Sequence, residues 1–547
     1  MTTVAALPHG ASLPDVCVIG TGPVGLAVAL ECERLGLSVL ALEAGGETAD
    51  QLKAPPRADV VDPLHHAPLH ITMRQAFGGT SWAWPGACVP FDPVDFQPRP
   101  HVAESGWPIT HDDVEPYYGA AAEILDCDPP LIASRTDMNA VVFSAARFSR
   151  RPQLGLVYRE WIERSEKITV CLNCPVVSLD LSATGESIEA VTVATSNGPV
   201  QVKARHVVIA AGGLRSTQLL LAAQRQWPRH FGGIDGPLGR YYMGHLAGWI
   251  SAIRFPKKAE ADQFQATTID GRPHALQRWA IAEPVQLSES LLNTSFWPTN
   301  VAFFDPSHGS AELSAAFLTL LLPMMGRMMM PAALRRASLG PTPPDIWGHC
   351  RNVISEPAKT ASTVMNAFWR KFVHREDLGA FLKKDENGSF LLWYHAEHAP
   401  HPESRVTVTE HVDNLGLPLM KVDLRYTAGD VEAVVKAHRV LDAELKARGL
   451  GSLAFLVDEP SLPGRVLEQA LDGYHQMGTT RMGTDPRTSV VDQHCQVHGV
   501  RNLHVASSSV FPTSGQANPT LLATALAVRL ANRLARQTAR STSVHSA

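Results

Sequence analysis

Apolar positions near the start of the chain switch period twice within thirty residues. Asp15 to Ile19 (DVCVI) is a short β-rich run. The segment from Leu26 to Gly36 (LAVALECERLG) has helical spacing, and SVLALE then forms a second strand closing on Glu43. The pattern predicts strand, helix, strand. A second fully apolar run, VVIAAGG from Val207, reads as a buried strand ending in glycines. ITVCLNCPVVSLDL from Ile168 reads as a strand and its continuation. Between Phe390 and Tyr426, FLLWYHAEHAPHPESRVTVTEHVDNLGLPLMKVDLRY predicts strands of an antiparallel sheet, followed by a helix from about Asp430 to Arg448. TLLATALAVRLANRL from Thr520 predicts another helix. Ala311 to Ala337 is apolar, but Pro323, Arg327 and Pro331 interrupt it short of the ~20 residues of a membrane span. A pair of buried helices is expected there, with an oligomer contact or a membrane-surface helix ending in Arg335 and Arg336 as the alternative.

A chain of 547 residues exceeds the size at which a single core stops growing, so two domains are expected. A net charge of −5 and the lack of any run of five basic residues exclude a nucleic-acid partner. The eight cysteines are scattered. The only C-x-x-C, Cys171 and Cys174, lies in a strand context and reads as buried thiols. No second pair completes a zinc site, so no metal is expected. Few cysteines and an N-terminus without a basic leader point to a reducing, cytoplasmic compartment.

Gly20, Gly22 and Gly25 follow the first strand directly, and Pro23 and Val24 open the helix. Gly20 permits the tight turn, Gly22 lets backbone approach a pyrophosphate, and Gly25 lets helix and strand pack closely. The helix N-terminus offers N–H groups and a positive dipole end to phosphate. Glu43, followed by Ala44, falls where a carboxylate accepts hydrogen bonds from a ribose 2′-hydroxyl, which disfavours NADP. This unit predicts a dinucleotide and leaves NAD and FAD both open.

Further motifs follow in order: FGGTSWAWPG from Phe77, SGWPITHDDVEPYYGAAAEIL from Ser105, HVVIAAGGLRSTQLLL from His206 and GPLGRYYMGH from Gly236. The last fifth carries GYHQMGTTRMG from Gly473 and SSSVFPTSGQANPT ending at Thr520. Together they resemble the glucose–methanol–choline (GMC) family of flavoprotein oxidoreductases almost end to end, thinning between about Trp249 and Asn387. The resemblance implies non-covalent FAD. Ala83 stands where a histidine of some pyranose-oxidase-like members bonds to the flavin. Gly78, Gly79, Thr80 and Ser81 offer flexible backbone and hydroxyls to the flavin side. Val177, Ala211, Gly212 and Ser509 match further cofactor positions. Pro519 and Thr520 open a helix whose first turn would face the flavin pyrimidine.

Oxidising an alcohol requires a proton acceptor and a carbon fixed over the flavin. Histidine titrates near neutrality and suits the first task. The resemblance places the base at His475 and its partner at Asn518, a His/Asn member. That pairing looks most like the sugar- or glycoside-oxidising, pyranose oxidase-like branch. A non-sugar, lipophilic or aryl alcohol of secondary metabolism is the alternative. Oxygen, a quinone or a separate carrier would accept the electrons.

The fold expected is α/β: an interleaved two-domain flavoprotein. A Rossmann-like FAD-binding domain would comprise residues 1–110, 165–245 and 473–540, and a helical segment, 111–164, would connect it onward. A substrate-binding domain with an antiparallel sheet and helices would span 246–472, leaving a tail at 541–547. Glu397 and Arg405 are expected to form a buried structural pair, with a role as substrate ligands as the alternative. Trp393, Tyr394 and Trp297 are core strand residues or sugar-stacking groups. His245, His395, His398 and His401 receive no catalytic role.

Overall fold

The first strand, Val16–Ile19, is apolar at every position because both faces of its sheet are covered. In the computed structural model it lies at the centre of five parallel strands. Their order is Leu503–Val505, His206–Ile209, Val16–Ile19, Val39–Leu42 and Ile168–Cys171. Helix Pro23–Arg34 packs on helix Thr520–His545, so the two ends of the chain share one core. The strand order reverses between Val16–Ile19 and His206–Ile209, and a crevice opens at such a switch point. The structure describes residues 13–48, 57–129, 138–269, 272–300, 304–329, 339, 344–369 and 389–545.

A second, larger sheet is antiparallel. Its order is Ser452–Phe455, His245–Arg254, Ser389–Glu397, Thr294–Thr299, Arg272–Ile281, Val141–Phe148 and Ala87–Cys88, with Thr267–Ile269 beside Arg272–Ile281. Alternation divides its side chains. Leu246, Ile250, Trp279, Phe296, Leu392 and Tyr394 point to one face and form a core with helices Ala428–Ala447 and Leu462–Gln469. His245, Trp249, Trp297, Trp393 and His395 occupy the opposite face. That face turns toward the C-terminal loops, since His395 Nδ1 donates to the Gln516 carbonyl at 2.8 Å.

Helix Ala428–Ala447 starts two residues before the expected Asp430 because Thr427 and Asp430 cap each other's backbone N–H groups. Strands Arg405–Val412 and Pro418–Asp423 leave the large sheet and pair with Ala58–Val60 instead. The expected helical connection at 111–164 is corrected. It holds helices Glu115–Ile124 and Leu154–Arg164, but between them Val141–Phe148 pairs along its length with Arg272–Ile281. Its small and polar residues (VVFSAARF) hide the strand period.

Glu397 does not pair with Arg405. Its partner is Arg99, 2.5 Å away and fully buried with it, whereas Arg405 meets Glu403 at 3.6 Å. Burial would raise the Glu397 pKa, but Arg99 brings it below the usual value. In the apolar stretch, helix Ala311–Leu321 buries Leu313, Phe317 and Leu320, while Pro323–Met329 leaves Met324 exposed. Only the first of the two expected helices is therefore buried. Residues 330–338, with Arg335 and Arg336, lie outside the described residues, as do residues 546 and 547 of the tail. Among the described residues no helix is long and apolar enough to cross a membrane. All eight cysteines are thiols, Cys171 and Cys174 included.

Candidate active site

The two loops of the nucleotide crevice meet back to back. A Cβ on Gly25 would lie 2.1 Å from the Gly20 carbonyl oxygen, and one on Gly79 would lie 2.7 Å from Gly22 Cα. These contacts leave no room for a side chain, so the helix sits tight on its strand and the Gly78 loop tight on the Gly20 loop. Gly78 N–H donates to the Thr21 carbonyl at 3.0 Å, tying the loops together. Toward the crevice the situation reverses. A Cβ on Gly212 would meet nothing within 4 Å, and one on Gly22 only Gly79 Cα at 3.9 Å.

Gly22 is the N-cap of helix Pro23–Arg34 and has no side chain to satisfy the first-turn N–H groups. Pro23 occupies the first turn, and Val24 packs half-buried against the core. This is an anion-receptive helix end beside open backbone, and the residues present fit a dinucleotide. Ala211 and Gly212 close strand His206–Ile209 on the other side of the switch point, where Gly212 caps helix Gly213–Gln226.

Glu43 lies at the end of the second strand but is buried. One carboxylate oxygen accepts from Thr21 N–H and hydroxyl at 3.1 and 2.6 Å; the other accepts from Gly45 N–H at 2.9 Å. It braces the phosphate loop, and burial raises its pKa. Ala44, half-buried, follows it, and Val177 is half-buried on the adjoining strand Val176–Leu181.

Two expected cofactor contacts are corrected. The Ser81 hydroxyl is buried, donating to the Gly78 carbonyl and accepting from Leu154 N–H. Ser509 is buried and bonded to the Thr480 hydroxyl at 2.7 Å. Both are fully buried and hold loops together, so neither hydroxyl faces open space. Thr80 remains half-buried, and Pro519 and Thr520 begin the C-terminal helix.

His475 and Asn518 come from loops 43 residues apart and meet, with Asn518 Nδ2 3.1 Å from His475 Nε2. The other edge of the imidazole faces protein. His475 Nδ1 lies 3.1 Å from Asp472 Oδ2 and 2.9 Å from His245 Nδ1. These partners assign the proton to Nδ1, shared between the carboxylate and the His245 lone pair, and leave the Nε2 lone pair facing Asn518.

Asp472 is held from several sides. It also accepts from the backbone N–H groups of His245, Tyr474 and His475 at 2.7, 2.8 and 3.1 Å. A Cβ on Gly244 would lie 2.7 Å from Asp472 Cβ, so a glycine is needed for that approach. Burial opposes the Asp472 charge, but His475 and His245 hold its carboxyl well below the usual range.

His245 and His395 form the floor. Their ring centroids lie 4.1 Å apart at a tilt of 31°, and both rings lie edge-on to His475, at 4.7 and 5.6 Å. Burial pushes His245 down to about 4, and burial with the neighbouring imidazoles takes His395 well below its ordinary value. Both are therefore neutral at pH 7. His475 keeps 21% of its side chain exposed against 1% for His245, so it is the accessible imidazole of the three. The three rings bring nitrogen atoms within 4.8 Å of one another, as a metal site would.

Sequence reasoning missed Asp472, His245 and His395. A carboxylate three residues before the candidate base was the available signal for Asp472. His398 and His401 stay away from the reacting edge; His398 bonds to the Arg425 carbonyl and Gly244 N–H.

Residues 400–527 match the sequence model of the family described as GMC oxidoreductase. Among similar proteins, the 6'''-hydroxyparomomycin C oxidase of Streptomyces lividus is 24% identical over 588 residues, covering 93% of this chain and 89% of that one. The paromamine 6'-oxidase of Streptomyces fradiae is 31% identical over 130 residues, 24% of this chain and 22% of that one. The solved structure of pyridoxine 4-oxidase from Mesorbium loti superposes with a TM-score of 0.53 at 16% identity, over 95% of this chain and 99% of that one. That last likeness extends the shared fold over nearly the whole length. Residues 400–527 therefore carry the C-terminal domain of the GMC oxidoreductases, within a chain that shares the fold of pyridoxine 4-oxidase over nearly its whole length.

Proposed function

We propose that the protein is an FAD-dependent oxidoreductase that oxidises a primary or secondary alcohol on a sugar or glycoside. The observation that carries this reading is the meeting of His475 Nε2 and Asn518 Nδ2 at 3.1 Å, beside a crevice shaped for a dinucleotide. Gly20, Gly22, Gly25, Gly78, Gly79 and Gly212 would hold the cofactor non-covalently, with Ala83 at the position that would otherwise carry a linking histidine. When bound, FAD supplies the two-electron acceptor for the carbon-bound hydride.

The chain's own residues handle the proton. Asn518 shares the substrate hydroxyl and orients it toward His475. His475 Nε2 takes the hydroxyl proton. The resulting imidazolium is stabilised at Nδ1 by Asp472, which stays ionised, while neutral His245 and His395 add no competing charge. The aminoglycoside oxidases among the relatives support an alcohol on a sugar-like ring. Electrons then leave to oxygen, a quinone or a separate carrier. Thiols throughout the chain suit a reducing, cytoplasmic setting.

The test is an anaerobic panel of glycosides, aryl alcohols and long-chain alcohols, scored by bleaching of the flavin bands. Purified protein should be yellow and bleach with a sugar or glycoside. His475→Ala should keep its FAD and lose bleaching. A colourless, FAD-free protein, or turnover retained in that variant, would overturn the reading.

A further inference from the structure

The catalytic face of the antiparallel sheet carries a row of tryptophans that neither the proton chemistry nor the cofactor crevice uses. Trp393 pairs across the strands with Trp249 on one side and Trp297 on the other. Side chains on the opposite face, such as Leu246, Phe296, Leu392 and Tyr394, are wholly buried in the core. The three indoles remain half-buried, as do Ala247, Leu391 and Thr299 beside them, so this part of the face is not closed over. Tyr394, read from sequence alongside Trp393 and Trp297, belongs to the core face and drops out of the set.

The row is rigid. Trp249 meets Trp393 edge-on at 4.6 Å, and its indole N–H donates to the Thr299 hydroxyl at 2.8 Å. Trp297 lies 6.2 Å from Trp393 and 6.5 Å from His395, whose ring is 5.6 Å from His475. A row of aromatic rings therefore runs from Trp249, edge-on to Trp393, through Trp297, tilted 33° from Trp393, to within one ring of the candidate base. A fixed indole face offers a flat apolar surface with little ordering cost. A chain of small aliphatic residues could line an alcohol pocket equally well. A flat π surface is distinctive because it matches a flat partner.

We infer that Trp297 and Trp393, braced by Trp249, form the subsite that takes the ring of a cyclic alcohol. The ring's flat C–H or aryl face lies on the indoles while its hydroxyl-bearing carbon reaches His475 and Asn518. This rests on the alcohol oxidation proposed above and narrows it to substrates whose hydroxyl is borne on or beside a six-membered ring. Straight-chain alcohols would reach the base without the stacking contribution.

The experiment uses the FAD-loaded enzyme with Trp297→Leu and Trp393→Leu, which keep bulk but lose the π face, and Trp297→Phe and Trp393→Phe, which keep a ring. Substrates are a methyl pyranoside with a free hydroxymethyl group, a benzylic alcohol and a straight-chain primary alcohol. KM and kcat are read from anaerobic flavin bleaching. Binding is read separately from tryptophan emission on titration with the deoxy pyranoside, which cannot react.

The Leu variants should raise KM for a ring substrate about tenfold with kcat nearly unchanged. The Phe variants should recover most of that loss, and the straight-chain alcohol should be indifferent to all four. An effect on the pyranoside alone identifies a sugar ring, and one on the benzylic alcohol alone an aryl ring; either supports the subsite. Unchanged ring KM in both Leu variants, or equal losses for ring and straight-chain alcohols, overturns it. If no alcohol bleaches the wild-type flavin, the proposed oxidation fails on its own, and an emission response to the deoxy ring absent from the Leu variants still upholds the stacking surface.

Discussion

Asp472→Asn removes the negative charge behind the proposed proton transfer. The carboxylate oxygen sits 3.1 Å from His475 Nδ1, and the side chain is buried. To a neutral imidazole the carboxylate gives only a hydrogen bond. As Nε2 takes the hydroxyl proton, an imidazolium develops against a full negative charge. Two unit charges about 4 Å apart attract by ~4 kcal/mol at an effective dielectric constant of about 20. Asparagine keeps the shape and one oxygen for the N–H groups of Tyr474 and His475, but its amide nitrogen cannot accept from the His245 N–H, so FAD content and fold are checked beside the rate. The lost charge should slow substrate-dependent flavin bleaching roughly a thousandfold.

The sign with pH follows from the depressed Asp472 pKa. The carboxyl is ionised throughout the neutral range, so its contribution is present from pH 6 to 8 and vanishes only in strong acid. The deficit of the variant should therefore be constant over that interval. The assay is anaerobic stopped-flow at saturating substrate, with FAD content measured in parallel. A variant with full FAD that bleaches within about threefold of wild type would refute the charge argument.

Acid should destabilise the fold through three buried histidines. Burial lowers His245 and His438 to about 4 and His504 to about 3, against 6.5 for the free side chain. Below pH 6.5 the unfolded chain takes up protons that the folded chain refuses, so stability falls as pH drops from about 6.5 toward 4. At pH 5 each site costs ~2 kcal/mol. Urea midpoints at pH 7 and pH 5 should differ markedly, with the gap narrowed by His438→Gln; equal midpoints would contradict the burial argument. Glu397→Gln strands the Arg99 guanidinium in the core and should cost about 3–5 kcal/mol in denaturant titration. Loss of less than 1 kcal/mol would show that Arg99 finds another partner. Gly25→Ala drives a methyl against the Gly20 carbonyl and should give protein with at least about tenfold weaker FAD retention on gel filtration. Normal flavin content would mean that the loop shifts at no expense to the crevice.

What was legible in the sequence follows from how local each signal is. The Gly20 loop, its helix and its strands are written within thirty contiguous residues, and the structure builds them there. His475 and Asn518 were singled out through motifs, and each motif is again local. Strand Val141–Phe148 was missed because its partner lies beyond residue 270, and a short run of small residues shows its period only once that partner is known. Ser81 and Ser509 looked like ligand contacts because a hydroxyl beside glycines often is one. Which way a hydroxyl turns depends on acceptors elsewhere in the chain.

The environment of the base was the least visible part, for a related reason. His245 sits 230 residues before His475, and His395 sits 80 before it. Each appears in sequence as an ordinary strand histidine. Only the register between His245–Arg254 and Ser389–Glu397 brings them to 4.1 Å, and only the turn at Asp472 sets His475 perpendicular to them. Asp472 itself is three residues from the base, yet the domain boundary drawn from sequence fell between it and Gly473. Its carboxylate holds the backbone of His245, on the large sheet, and of His475, on the C-terminal loop, at the same time. The residue that orients the candidate base is also the one that joins it to the sheet, so the boundary runs through the site and its chemistry belongs to both units.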